Sequence, residues 1–263
     1  MVLVGDRSPG RLQKLITMEL ICLGSSSKGN CYLLKGRTQT LILEAGVKIS
    51  EVKQSLDFDL SSIIGCLVTH EHGDHAGHVK ELLQAGIDVY TSYGTKTKIQ
   101  PNHTRLIICV EHGFKFKLGQ FTILPIKAVH DAAEPLMFLI RHPECGDTLF
   151  CTDSMYIEYK IKGLNNLLIE ANYDNDIIDE RVANGANKSV RDRVMFSHMS
   201  LQSVKEFLQE NDTTVLNNIV LLHLSDGNSH AKNFKSAIDF VVPGKQVWIA
   251  DKKMTIPLDK TPF

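Results

Sequence analysis

The most constraining feature of the sequence is a dense group of metal-binding residue types, His-Glu-His-Gly-Asp-His, at residues 70–75. The group directly follows an apolar run at residues 63–68, which indicates a short buried strand. Residues two apart on an extended segment share one side, so the first two histidines are expected to face one point. The glycine then lets the backbone bend, which turns the Asp-His pair toward a second point nearby. The pattern predicts two adjacent metal pockets.

A chance origin explains this group poorly. A lone histidine is usually a surface residue or a core residue with satisfied nitrogens. Three histidines and an aspartate at the end of a buried strand would instead be difficult to desolvate without a shared partner. The sequence also predicts that Asp74 caps a helix over residues 76–84, which Gly86 ends. The candidate ligands would then lie on a strand-to-helix turn.

Three more candidate ligands, His130, Asp153 and His223, each follow a predicted buried strand. Any one of them alone is compatible with a capping or core residue. Together with the first group they indicate strand ends that converge on one edge. The predicted arrangement has His70, His72 and His130 on one metal, Asp74, His75 and His223 on the other, and Asp153 as the bridge between them.

Such a ligand set predicts two divalent metal ions. A carboxylate-bridged pair lies about 3.5–4 Å apart and lowers the pKa of a shared water to about 7, which would supply a hydroxide nucleophile at neutral pH. Nitrogen and carboxylate ligands without cysteine are compatible with Zn²⁺, Mn²⁺ or Fe. Glu44, Glu71 and Asp131 are candidates for orienting the ligand imidazoles.

A further histidine, His198, is a candidate catalytic residue. It begins a His-x-Ser turn that resembles the turn at residues 223–225, so both turns are expected at the same active edge. Because the predicted metal ligands are already complete, His198 is interpreted as a proton donor to a leaving group or as a contact to a scissile phosphate. Asp74 is the other candidate catalytic residue, in addition to its role as a ligand.

Small polar segments supply candidates for substrate binding. Residues 24–30, Gly-Ser-Ser-Ser-Lys-Gly-Asn, are rich in backbone donors and suit either an anion-holding loop or a plain hairpin loop. Residues 184–193 are basic and suit backbone phosphates. Residues 92–105 are polar without a clear period, which favours a solvated loop over a substrate contact. The candidate substrate-binding residues are Ser25, Ser26, Asn30, His198 and Asn228.

Composition limits the class of protein. With 263 residues, 43% of them hydrophobic and 22% charged, the chain can form a full globular core. A net charge of −1 gives no overall field toward nucleic acid or membrane, although local basic pairs still allow nucleic acid. No stretch approaches the roughly 20 apolar residues that span a bilayer. The six cysteines show no Cys-x-x-Cys pairing and are expected to be buried thiols in the cytoplasm.

The order of predicted elements indicates the architecture. Strands followed by helices in both halves predict an α/β fold with two sheets packed face to face and helices outside, a four-layer αβ/βα sandwich. Alternating patterns over residues 106–151 predict antiparallel strands, and residues 174–183, 201–209 and 231–240 predict helices. Residues 1–17 are expected to be a tag remnant or a disordered extension, which leaves 18–263 as a single domain.

The motif at residues 70–75 resembles the signature of the metallo-β-lactamase superfamily, which has this four-layer fold. More narrowly, the chain resembles the YycJ/WalJ-type metallo-hydrolases. The matching segments are residues 23–32, Leu-Gly-Ser-Ser-Ser-Lys-Gly-Asn-Cys-Tyr, residues 130–135, His-Asp-Ala-Ala-Glu-Pro, residues 170–174, Glu-Ala-Asn-Tyr-Asp, and the two His-x-Ser turns. This group is related to tRNA 3′-processing endonucleases, and its members are described as DNA exonucleases acting 5′ to 3′.

The resemblance implies a metal-dependent phosphodiesterase with a nucleic-acid substrate, DNA more than RNA. The chain departs from the group in two places: Glu44 replaces a usual aspartate, and Asn228 is a single asparagine where a pair is common. The alternatives are a hydrolase of a small molecule, such as a lactamase, a glyoxalase II-like thioesterase or a cyclic phosphodiesterase. A non-catalytic metal-binding partner protein is less favoured, because decayed scaffolds are expected to lose their ligands first.

Overall fold

A computed structural model describes residues 18–99, 106–258 and 260. The expected extension at residues 1–17 and two basic residues of the polar segment, His103 and Arg105, lie outside the described residues. The described residues form two seven-stranded mixed sheets, each antiparallel on one side and parallel on the other.

The first sheet is built mainly from the first half of the chain. In spatial order the strands are β14 (Thr255–Pro257), β1 (Met18–Ser26), β2 (Gly29–Gly36), β3 (Thr40–Leu43), β4 (Ile63–Leu67), β5 (Val89–Thr91) and β6 (Ile107–Cys109). The first four strands in this order pair antiparallel, and the parallel part begins where β3 pairs with β4.

The second sheet has the same division in the second half of the chain. In spatial order the strands are β13 (Gln246–Ile249), β12 (Asn218–Leu222), β11 (Asn166–Glu170), β10 (Gly146–Cys151), β9 (Leu136–His142), β8 (Phe121–Lys127) and β7 (Phe116–Leu118). The strands from β10 to β13 pair in parallel, and those from β7 to β10 pair antiparallel.

Eight helices connect the strands within the described ranges. They are α1 (Ile49–Ser55), α2 (Gly73–Ala76), α3 (Val79–Gln84), α4 (Tyr93–Ile99), α5 (Asn175–Ala183), α6 (Lys188–Ser197), α7 (Leu201–Glu210) and α8 (Ala231–Val241). Two of them, α7 and α8, pack on the second sheet and each bury one apolar face. The Ser200 hydroxyl caps α7 by accepting the Ser203 N–H at 3.0 Å.

Three buried apolar clusters confirm the predicted four-layer sandwich. One cluster joins the inner faces of the two sheets and contains Tyr32, Phe121, Phe138 and Phe150. A second lies between the second sheet and the helices α7 and α8, and the third lies between the first sheet and the helices α1 and α3. In the described part of the chain, no helix is long and apolar enough to cross a membrane.

Several elements differ from the sequence-based expectation. The helix expected over residues 76–84 is divided into α2 and α3. Asp74 lies inside the first turn of α2, whose N-cap is His72, because the Asp74 carboxylate is turned toward neighbouring histidines. Residues 93–99 of the polar segment form α4, and β6 pairs in parallel with β5 in the first sheet, not with the antiparallel strands of the second.

The topology brings polar residues to one edge of both sheets. The parallel strands β3 and β4 of the first sheet, and β10, β11 and β12 of the second, end beside the segments that carry the candidate ligands. In sheets of this kind the carboxyl ends of parallel strands are the usual location of a functional cleft. The candidate site therefore lies between the two halves of the chain.

Candidate metal centre

The first group of candidate ligands is His70, His72, His130 and Asp153, whose ligand atoms all lie within 4.8 Å of one another. The two motif histidines follow β4, His130 follows β8, and Asp153 follows β10. The ring centroid of His70 lies 4.6 Å from those of both His72 and His130. The structure thus brings together all three histidines expected at one metal.

The second group is Asp74, His75, Asp153 and His223, with ligand atoms again within 4.8 Å of one another. Asp153 Oδ2 lies 3.2 Å from His75 Nε2, and Asp153 Oδ1 lies 2.7 Å from His223 Nδ1. Asp153 also belongs to the first group, so the two groups share this carboxylate.

The residues present suit bound cations. His70 is fully buried; its Nδ1 lies 2.9 Å from the Thr69 hydroxyl, and its Nε2 faces Asp153 without a hydrogen-bond partner among the described residues. An unsatisfied buried nitrogen costs about 1–3 kcal/mol, which a metal bond at that nitrogen would remove. The donors are imidazole nitrogens and carboxylates, which suit Zn²⁺, Mn²⁺ or Fe.

Opposite charges surround the shared carboxylate. Burial acts to raise the pKa of Asp153, but the charges of His223 and His75 outweigh it and hold the pKa well below its ordinary value. Asp153 is therefore ionised at neutral pH and available as an acceptor for cations.

Hydrogen bonds on the far side of the rings fix the candidate ligands. His130 Nδ1 lies 2.6 Å from the Ser197 carbonyl; because a carbonyl only accepts, Nδ1 carries the hydrogen and Nε2 is free to face the cluster. Glu44 Oε2 lies 3.7 Å from His75 Nδ1, a distance that allows an ion pair but is too long for a hydrogen bond, and this nitrogen has no hydrogen-bond partner among the described residues. Burial raises the pKa of Glu44.

The other two acidic candidates have different surroundings. Glu71 accepts the Ala133 N–H at 2.8 Å and holds the loop after His130, so it orients backbone and not an imidazole. Asp131 Oδ1 lies 3.4 Å from His130 Nε2, on the side of the ring that faces the cluster.

A buried carboxylate that the sequence analysis did not select, Glu170, completes the site. It ends β11, and its Oε1 lies 2.7 Å from His198 Nδ1, while its Oε2 accepts the N–H groups of Ser154 and Met199 at 3.2 and 3.1 Å. Glu170, Asp153, His198 and His223 form a third group with ligand atoms within 4.8 Å. Two features of the sequence indicated this residue: a carboxylate at the end of an apolar strand, and its position in the segment 170–174 that resembles the YycJ/WalJ-type group.

The Glu170 carboxylate controls the charge of His198. Burial acts to lower the pKa of His198, but the negative charges of Glu170 and Asp153 outweigh it and raise the pKa above its ordinary value. The contact through Nδ1 leaves Nε2 of this 19% exposed side chain for the cleft. His198 is thus able to carry a proton at the cleft wall.

Two of the residues expected to bind substrate, Ser25 and Asn30, contact candidate ligands. The turn between β1 and β2 contains only two residues, so Ser25 and Asn30 lie within the strands. The buried Asn30 amide lies 3.3 Å from Asp74 Oδ2 and 3.1 Å from His75 Nε2, and the Ser25 hydroxyl accepts the His223 N–H at 2.9 Å. Nearby, Gly46 lets the Asp74 carbonyl approach closely, because a side chain there would collide with it.

Two further substrate-binding candidates, Ser26 and Asn228, do not line the cleft that opens onto the two metal groups. The Ser26 hydroxyl accepts the Lys28 N–H and lines an adjoining cleft of about 1070 Å³. The Asn228 side chain accepts a hydrogen bond from the Arg181 guanidinium, which lies over Gly227. Gly227 itself lines the metal cleft, so the backbone of this loop, and not the Asn228 amide, borders the site.

A cleft of about 630 Å³ opens onto both ligand groups. Its walls come from the ligand segments, from the loop at residues 225–227, and from the last two turns of α6, a helix that the sequence indicated only as a basic stretch. His198 lines this cleft as expected. The side chains contributed by the end of α6 and its C-cap are Arg193, Val194, Ser197 and His198.

Known proteins are similar to this chain in sequence. The family described as the Metallo-beta-lactamase superfamily matches residues 26–113. Exodeoxyribonuclease YycJ of Bacillus anthracis is 29% identical over 171 residues, which cover 59% of this chain and 63% of the relative. Exodeoxyribonuclease WalJ of Streptococcus pneumoniae is 27% identical over 172 residues, with the same coverage. The match thus spans 63% of the length of these curated relatives.

Solved structures share the fold at low sequence identity. The metallo-β-lactamase fold protein YhfI from Bacillus subtilis has a TM-score of 0.70 and 16% identity, over 91% of this chain and 98% of that one. A diphosphatase from the PhnP family has a TM-score of 0.64 and 12% identity, over 91% and 96%. The short form of human tRNase Z has a TM-score of 0.61 and 15% identity, over 94% and 100%.

Proposed function

We propose that this chain, which carries a metallo-β-lactamase domain, is a dinuclear metal-dependent phosphodiesterase that acts on nucleic acid, with DNA favoured over RNA. The observation that carries the proposal is the position of Asp153 in two ligand groups that open onto one cleft together with His198. The sequence relatives named as exodeoxyribonucleases support a polynucleotide substrate.

The candidate ligands would hold two divalent cations, and Asp153 would contribute to both. When bound, such cations lower the pKa of a shared water and neutralise charge on phosphoryl oxygens. Asp74 lines the cleft and is 20% exposed, so its carboxylate is placed to accept a proton from an attacking water.

His198 would protonate the departing oxygen. Its Nδ1 contact to Glu170 fixes the ring and favours the charged form, so that Nε2 presents a proton toward the cleft. Glu170 does not line the cleft, and we assign it a positioning role that acts through His198.

Basic side chains at the cleft suit a phosphate backbone. Arg193 lines the cleft and is exposed, and Arg181 lies against Gly227 on the bordering loop. Arginine guanidinium groups contact phosphate oxygens without regard to base sequence. The cysteines support a reducing, cytoplasmic location, because all six are free and five of them are buried.

Two measurements test the proposal. Elemental analysis of the purified protein should find divalent metal, and Asp153→Asn should lose more metal than His72→Ala because Asp153 belongs to both groups; His112→Ala, which touches neither group, is the control. The metal-loaded protein should degrade end-labelled DNA and hydrolyse bis-p-nitrophenyl phosphate, while Asp153→Asn should not. Hydrolysis of nitrocefin or a glutathione thioester, without attack on either phosphodiester, would refute the proposal.

A further inference from the structure

The outer surface of α6 carries three exposed side chains spaced by three residues: Val190, Arg193 and Phe196, which we name the α6 rim. Side chains three apart on a helix are neighbours, so the guanidinium of Arg193 lies between two apolar groups along one stripe. Phe196 is 72% exposed, although burying a phenylalanine side chain would contribute about 1.5–3 kcal/mol. This apolar surface is therefore available to a ligand.

The α6 rim borders the proposed catalytic centre. Phe196 lies between Val194 and Ser197, which line the cleft, and it precedes His198 by two residues. The end of the helix is fixed there, because the Ser197 carbonyl accepts from His130 Nδ1. Arg193 itself lines the cleft, whereas Phe196 does not; it lies three residues after Arg193 and is therefore its neighbour on the helix surface. A molecule that extends out of the cleft past Arg193 would meet Phe196 next.

The start of α6 is also held in place. The Asn187 side chain caps the helix by accepting the Ser189 N–H at 2.9 Å, and Arg191 pairs with Asp179 of α5 at 3.0 Å. Arg193 has no ion-pair partner among the described residues, so its charge is available to an anion. The rim is thus an aromatic group and a free cation on an anchored helix.

We infer that the α6 rim binds the unpaired end of a nucleic-acid strand, with Phe196 stacked on a nucleobase and Arg193 on the adjoining phosphate; this rests on the proposed function. Stacking of a base on an aromatic side chain contributes about 1–3 kcal/mol and is tolerant of sequence, because every base has an aromatic face. A nearby arginine supplies the phosphate contact that such sites combine with stacking. The rim would therefore select strands with unpaired bases at the cleft.

Equilibrium binding can separate the stacking from the phosphate contact. The probes are fluorescein-labelled single strands with phosphorothioate linkages, which slow hydrolysis, made either with normal bases or with base-free tetrahydrofuran residues at the end opposite the label. Fluorescence polarisation with the metal-loaded protein should show that Phe196→Ala weakens binding of the normal strand by about 5- to 150-fold. The affinity for the base-free strand should stay within about twofold of wild type, because no base is present to stack.

Two further variants act as controls. Phe58→Ala removes a phenylalanine that is equally exposed, at 71%, but lies in the turn before β4, at the opposite end of that strand from the metal motif; it should leave both affinities unchanged. Phe196→Trp should keep the preference for bases, and its fluorescence should be quenched by the normal strand more than by the base-free strand. The wild-type chain has one tryptophan, Trp248, which supplies the background signal.

The outcomes distinguish this inference from the proposed function. Equal weakening of both strands by Phe196→Ala, or no weakening of either, would overturn the stacking role even if the protein cleaves DNA. Selective weakening of the normal strand supports the role, and it can be measured even if no DNA is cleaved. Thermal denaturation of Phe196→Ala should match wild type, because the removed ring is mostly in solvent.

Discussion

At the scale of single residues, three strand ends use an unusual backbone conformation to aim side chains at the site. Glu44, Asp153 and His223 have φ values of 66°, 45° and 51°, in the left-handed region. Aspartate and histidine enter this region more readily than most residues, although each such position still costs about 1 kcal/mol or more. The turn directs each side chain across the sheet edge, where a regular strand would direct it into a core.

The contact between Glu170 and His198 gives a prediction at this scale. Glu170→Gln keeps the shape of the side chain but removes the charge that raises the pKa of His198. Under the proposed function, a smaller fraction of His198 then carries the proton to be donated at neutral pH. The rate of DNA cleavage, which releases a poor alkoxide leaving group, should fall by about 100- to 10,000-fold. Hydrolysis of bis-p-nitrophenyl phosphate, whose leaving group needs no proton, should change much less.

A comparison with His198→Ala checks the same assignment. Both substitutions should produce the same dependence on the leaving group, and the double variant should be no slower than His198→Ala alone. A similar loss on both substrates would instead indicate that Glu170 serves only the structure of the site or the binding of metal.

The sequence identified the candidate ligands through two local signals, the dense motif at residues 70–75 and polar residues that directly follow apolar strands. The motif ligands lie within six consecutive residues, so their convergence depends on one turn. Glu170 was not selected because its contact with His198, 28 residues away, depends on the pairing of the segment after β11 with the segment before α7, where Asn172 N–H donates to the Met199 carbonyl. Ser25 and Asn30 were expected to bind substrate because the sequence does not reveal that the hairpin turn has only two residues.

At the scale of elements, the site depends on where helices begin and end. α6 ends at Ser197, with His198 as its C-cap, and α7 begins at Leu201, two residues after Met199, whose N–H donates to Glu170. The sequence predicted α7 from its apolar period, but not α6, which is mostly polar and is held by its cap and its contact with α5. β14 was not predicted either, since three residues carry little periodicity.

The cap of α7 gives a prediction at this scale. Ser200→Ala removes the acceptor of the Ser203 N–H and should lower the free energy of unfolding by about 1 kcal/mol. Urea denaturation should show a lower midpoint at an unchanged slope. Ser203→Ala keeps the backbone N–H and removes only the second hydroxyl, so it should have a smaller effect. An equal loss in both variants would point to the contact between the two hydroxyls and not to the cap.

At the scale of the whole molecule, the candidate ligands connect the two sheets. The motif at residues 70–75 follows a strand of the first sheet, while His130, Asp153 and His223 follow strands of the second. The four-layer architecture was predictable because strands and helices alternate in both halves. The placement of β6 in the first sheet was not, since an alternating pattern does not specify the partner of a strand.

Removal of metal should therefore loosen the contact between the halves. Adding Zn²⁺ or Mn²⁺ to chelator-treated protein, at about 100 times the dissociation constant, should stabilise it by about 2.7 kcal/mol and raise the Tm by about 5–11 °C. The rise should persist in His112→Ala and be reduced in Asp153→Asn. A Tm that is the same with and without metal in the wild-type protein would contradict the proposed metal centre.

The two oxygens of Asp153 have separate neighbours: Oδ1 lies beside His223, and Oδ2 lies between His75 and the histidines of the first group. Under the proposed function, the first cation to arrive would fix the rotation of this carboxylate and so change the affinity that remains for the second. By thermodynamic reciprocity, the factor is the same whichever position fills first. A calorimetric titration should accordingly follow a cooperative isotherm, positive or negative, and not that of two independent sites.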